Sequence, residues 1–120
     1  MTAVPVILLL SAAVTLGLYN LVNFLRGDRK SVVIGLHLLL GLGSLMALVY
    51  FLKDASDGER PPAGSFGNVS AGFLALAAFS GLVGPLLAQR SKPAANVVLA
   101  AHACCGVAGF LACLAWSYGV

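Results

Sequence analysis

The chain has two histidines, and both stand in the same local pattern. Val32-Val33 is followed by His37 and then Gly41; the same order and spacing return as Val97-Val98, His102 and Gly106. Ala47 then matches Ala112, and the aromatics Phe51 and Trp116 coincide near the end of each stretch. With the register moved by one residue, Gly17 pairs with Gly81 and Arg26 with Arg90. An imidazole in apolar surroundings does one of two things: it hydrogen-bonds a neighbouring helix, or it gives a ring nitrogen to a metal. A lone histidine favours the first reading, whereas a matched pair points to shared ligation of one metal.

The elements that carry these residues follow from composition. Hydrophobic residues make up 60% of the 120 and charged ones 9%, far from the roughly one quarter charged of a soluble domain. A spanning helix needs about 20 apolar residues, so the length allows four spans and short connectors in a single domain, 1–120. The expected spans are 4–25, 31–52, 67–88 and 94–118, an all-α up-down bundle of four transmembrane helices built as a duplicated hairpin. Arg26-Gly27-Asp28-Arg29-Lys30, the segment from Lys53 to Ser65 with Pro61-Pro62, and Gln89-Arg90-Ser91-Lys92-Pro93 separate them. Val6–Leu10 has the texture of a secretory leader; lacking a basic stretch ahead of it, it is expected to be the first span.

Five of the seven basic residues fall in the first and third connections. The positive-inside rule therefore predicts those loops on the cytoplasmic side and both termini outside, in a bacterial inner membrane. Tyr50, Trp116 and Tyr118 then lie at the outer interface, where amphipathic rings settle. The surplus of basic charge is explained by an anionic leaflet and calls for no nucleic acid. Cys104, Cys105 and Cys113 lack metal-ligand spacing and read as packing residues. Asn20 and Asn23 are expected to bond between helices, or to a propionate or quinone. Pro85 is expected to kink the third helix.

A two-span repeat keeps its orientation, so the second and fourth helices should run parallel with both histidines about 9–12 Å from the cytoplasmic helix ends. Across the diagonal of a four-helix bundle, about 11–14 Å, two imidazoles could grip one iron. Glycine at 41 and 106, one turn on, would leave room for a flat macrocycle, and Gly17, Gly81 and Gly84 fall near the same level. In this the chain resembles the haem-binding four-helix core of membrane cytochromes b. The resemblance implies haem b with His37 and His102 as axial ligands to the metal, and Gly17, Gly41, Gly81 and Gly106 lining the porphyrin. Arg26 and Arg90 are expected to pair with the propionates. Many such cytochromes carry two histidines on each ligand helix and hold two haems; this chain has one on each.

That reading makes the chain an electron-transfer subunit between the quinone pool and a partner protein, joined to other subunits of a respiratory or photosynthetic membrane complex, rather than an independent enzyme. Three alternatives stay open: ligation of a chlorophyll-type pigment by each histidine separately, a small structural subunit, and a four-helix transporter or channel. A transporter coupled through a buried carboxylate is disfavoured, because no Asp, Glu, Lys or Arg lies deep in any span. No flavin or dinucleotide motif and no covalent-haem C-x-x-C-H occurs.

Overall fold

The computed structural model describes residues 3–54 and 66–118, all of it helix apart from short caps and turns. Helix α1 covers Val4–Leu25, α2 Ser31–Asp54, α3 Phe66–Ala88 and α4 Lys92–Ser117. At about 1.5 Å per residue even the shortest, of 22 residues, is about as long as the hydrocarbon layer is thick. All four are long and apolar enough to cross a membrane. The chain divides into two compact units, Met1–Pro61 and Pro62–Val120. Within the first, α1 packs on α2; within the second, α3 packs on α4. The expected breaks hold, with shifts of one or two residues at the ends. The acidic and proline-rich part of the second break, 55–65, lies outside the described residues.

Local chemistry accounts for where each helix stops. Gly27 adopts φ +75°, a left-handed conformation that glycine takes without a Cβ penalty. Its N–H bonds the carbonyl of Phe24 at 3.1 Å, and the Asp28 N–H bonds that of Asn23 at 2.8 Å. This pair of bonds is the Schellman arrangement, which closes α1 and turns the chain back toward α2. Helix α4 begins earlier than expected because Ser91 caps it, its hydroxyl accepting from the Ala94 N–H at 3.4 Å, with Pro93 in the first turn. Pro85 sits inside α3, where it deprives the Gly81 carbonyl of its usual helical donor.

The interface of the second hairpin is made mostly of small residues, while that of the first mixes small residues with Val and Leu. Val6, Leu10, Ala13, Ser44 and Leu48 are buried in the first; Gly67, Ser70, Leu74, Ala77, Gly84, Ala95, Gly109 and Cys113 in the second. Small side chains let backbones approach, which drives association where lipid removes the hydrophobic incentive. No more than 17% of the apolar window of any span is buried inside the fold. Leu8, Leu25, Val32, Leu39, Met46, Phe79, Leu86 and Val97 stand more than 60% exposed. An apolar surface on this scale suits a lipid bilayer and would not persist in water.

Candidate functional site: two histidines seated alike

Each histidine reaches across its own hairpin to the partner helix. His37 on α2 places Nδ1 2.8 Å from the Ala13 carbonyl of α1. His102 on α4 places Nδ1 2.6 Å from the Ala77 carbonyl of α3. A carbonyl only accepts, so in both rings Nδ1 carries the proton and donates. In the neutral imidazole this fixes the tautomer: the lone pair belongs to Nε2. Both side chains are half-buried.

One turn beyond each accepting carbonyl a glycine makes space for the ring. A Cβ at Gly17 would stand 2.9 Å from Cε1 and 3.4 Å from Nδ1 of His37. At Gly81 it would stand 2.8 Å from Cε1 and 2.9 Å from Nδ1 of His102. Real side chains do not approach this closely, so each imidazole occupies the volume that a side chain would need. Ala13-x-x-x-Gly17 and Ala77-x-x-x-Gly81 thus seat the two rings alike, each with a carbonyl to hold the ring and a gap to admit it.

The two seats agree residue for residue. Ala77 and Gly81 each stand 64 positions after Ala13 and Gly17, and His102 stands 65 after His37. The same offsets map the buried Val6, Leu10 and Ala13 onto the buried Ser70, Leu74 and Ala77, and the buried Ser44 and Leu48 onto the buried Gly109 and Cys113. Depth counted from the ligand helices themselves differs, because α4 starts about one turn early. Counted along the partner helices it agrees, with Ala13 twelve residues before the end of α1 and Ala77 eleven before the end of α3.

The other glycines, arginines and cysteines of interest fall into four groups. Gly41 and Gly106, one turn after each histidine, face open space where a Cβ would project. Gly84 and Gly109 are close-packing points, meeting Leu99 and Leu74. Arg26 and Arg90 are exposed at the connections α1–α2 and α3–α4. Cys113 is fully buried, as a packing residue should be, whereas Cys104 is exposed, and all three thiols are free. Sequence reasoning missed the carbonyls of Ala13 and Ala77, although the repeated Leu-x-x-Ala-x-x-x-Gly from Leu10 and from Leu74 carried their signal.

Among the described residues no three His, Cys, Asp or Glu side chains gather into a group that could hold a metal ion. No family model, curated protein or solved structure matches the chain.

Proposed function

We infer that the chain is a b-type cytochrome in which His37 and His102 are the two axial ligands of one haem. The observation that supports this best is the matched anchoring of the imidazoles. Histidines that bind metals nearly always donate the other ring N–H to a carbonyl or carboxylate, which orients the ring and raises the basicity of the ligating nitrogen. Both histidines have that bond, to the same residue type at the same place in the hairpin. Gly41 and Gly106 fit the reading too, since each leaves open space beside the ligand helix for a flat porphyrin.

In this reading the two hairpins are copies of one ancestral unit, and the up-down four-helix bundle is the arrangement that ligation requires. The bound haem would supply one-electron redox chemistry. The protein's own residues do the rest: Ala13 and Ala77 hold the rings, Gly17 and Gly81 admit them, and Arg26 and Arg90 offer positive charge to the propionates. The first and third connections face the cytoplasm, with quinone and a further subunit as redox partners.

A structural role is the second reading, favoured by the same bonds, because each also fastens two helices. A reduced-minus-oxidised spectrum of the purified chain separates the two: the haem reading expects the sharp bands of a low-spin b-type haem, at one iron per chain. His37→Ala and His102→Ala should each abolish those bands. Loss of half the absorbance in each variant would mean a pigment on each histidine, and a colourless wild type grown with ample haem would sink the proposal.

A further inference from the structure

We propose that the α1–α2 turn holds a binding site for a phosphate oxyanion, the headgroup of an anionic phospholipid, formed by Tyr19, Asn23 and Lys30. Tyr19 and Asn23 are four residues apart and share a face of α1. The Schellman turn at Gly27 brings the chain back so that Lys30 Nζ donates to the Tyr19 hydroxyl oxygen at 2.9 Å. The ammonium also lies 5.4 Å from the centre of the Tyr19 ring. Because the phenol oxygen accepts from Lys30, the phenol's own proton is left to donate elsewhere.

Asn23 carries the decisive observation. It is 8% exposed, and its Nδ2 is buried without a hydrogen-bond partner. The Tyr19 phenol is its hydrogen-bonding neighbour, although that contact falls short of a closed bond and leaves Nδ2 without an acceptor. A buried amide without an acceptor carries an uncompensated desolvation cost, so it calls for a group that accepts. The convergent set is an ammonium, a phenol proton and an amide N–H, all donors with net positive charge, and the complement of such a set is an anionic oxygen. The Tyr19 hydrogen bond holds the Lys30 ammonium above the ordinary lysine range, and the neighbouring Asp28 carboxylate contributes least to that shift. Arg29, lying 5.6 Å from the Phe24 ring centre, adds a second cation to the turn.

The surroundings favour a lipid over a free ion. Leu18, Leu21, Val22 and Leu25 are exposed on the same end of α1, ready to meet acyl chains. The second hairpin has nothing comparable: at the places matching Tyr19, Asn23 and Lys30 stand Val83, Leu87 and Ala95. The site therefore belongs to the first hairpin and is independent of the haem reading.

The test uses the full chain in neutral detergent, labelled with 15N at asparagine, and follows the Asn23 side-chain amide while short-chain lipids are added. Dihexanoyl-phosphatidylglycerol should shift that signal saturably, with dihexanoyl-phosphatidylcholine and dihexanoylglycerol far weaker. Inorganic phosphate reports on the alternative source: binding as tight as the lipid's keeps the oxyanion site but assigns it to a free ion. Lys30→Gln and Tyr19→Phe, both at exposed positions, should weaken binding about tenfold. Lys92→Gln, at the connection of the second hairpin, should leave it unchanged. An Asn23 signal indifferent to phosphatidylglycerol, or equal losses in the Lys30 and Lys92 variants, would overturn the proposal in favour of diffuse attraction to basic loops.

Discussion

In the second hairpin Gly109 lets α4 come so near α3 that the Ser70 hydroxyl donates to its carbonyl at 2.7 Å. At the matching place in the first hairpin stands Ser44, whose hydroxyl turns back to the Leu40 carbonyl of its own helix. The histidines, by contrast, are held in the same way in both. Gly84, which receives Leu99 in the second hairpin, is matched in the first by Asn20, beside the polar turn. Packing differs between the hairpins on either side of the imidazole seat, while carbonyl, ring and glycine are arranged alike in both. In the cytochrome reading proposed above, ligation by both rings is what would keep them so.

The largest effect expected of this difference falls at Gly109. A Cβ there would stand 2.7 Å from Leu74 Cγ and 3.2 Å from the Leu74 backbone nitrogen, and a backbone atom cannot swing aside. Gly109→Leu should therefore force α3 and α4 apart, costing about 3 kcal/mol, near the upper end of ordinary overpacking. Ser44→Ala, the corresponding change in the first hairpin, removes only a bond within one helix and should cost less than about 1 kcal/mol. Unfolding of the two variants in mixed micelles measures both. Equal losses would mean that the hairpins pack alike after all.

Next come the seats. Gly81→Ala and Gly17→Ala both put a methyl group into the imidazole, and Gly81 is the tighter because its Cβ would press on Nδ1 as well as Cε1. Each should cost about 1–3 kcal/mol of hairpin stability and displace the ring from its carbonyl. Haem content should drop in both and further in Gly81→Ala. Full haem in both, with the helices still packed, would show that the Nδ1 bond is dispensable for ligation.

The four spans were legible because lipid imposes a length and a composition, and the breaks were legible because Gly27, Ser91 and Pro93 have local effects that need no tertiary context. The level of Gly17 and Gly81 opposite the histidines also followed from counting residues along helices. What each glycine does was not legible. Gly81, Gly84, Gly106 and Gly109 read alike in a sequence, yet they face a ring, a leucine, open space and a leucine. A missing side chain leaves no mark of what fills its place; only the partner helix shows that. Asn23 was legible as a residue to bond between helices or to a ligand, but that its buried Nδ2 has no acceptor shows only in the folded turn.

A smaller effect separates the hairpins at Ser70. Ser70→Ala removes the hydroxyl that bonds Gly109, a buried bond between helices worth about 0.5–1.5 kcal/mol. Its match in the first hairpin is already apolar, Val6, so hydrogen exchange should accelerate in α3 and α4 while α1 and α2 keep wild-type rates. Acceleration in all four helices would show that the two units unfold together.

The smallest effect on the fold is expected at Gly41 and Gly106, and for that reason these positions isolate the haem. Both face open space, so an alanine methyl meets nothing in either hairpin. Glycine inside a helix also costs about 0.5–1 kcal/mol relative to alanine, through the backbone freedom it must give up. Gly41→Ala and Gly106→Ala should accordingly leave hairpin stability unchanged or slightly raised, in contrast to the losses at Gly17, Gly81 and Gly109. If a porphyrin lies along these helices, the same methyl groups enter its slot, and haem occupancy falls even though the apoprotein is no less stable. Gly41→Leu and Gly106→Leu should deepen that loss, the branched side chain filling the slot while remaining at ease in lipid. Pyridine haemochrome assays alongside unfolding curves resolve the two quantities. Undiminished haem in both leucine variants would assign the open faces of α2 and α4 to lipid and leave the imidazoles without a neighbouring macrocycle.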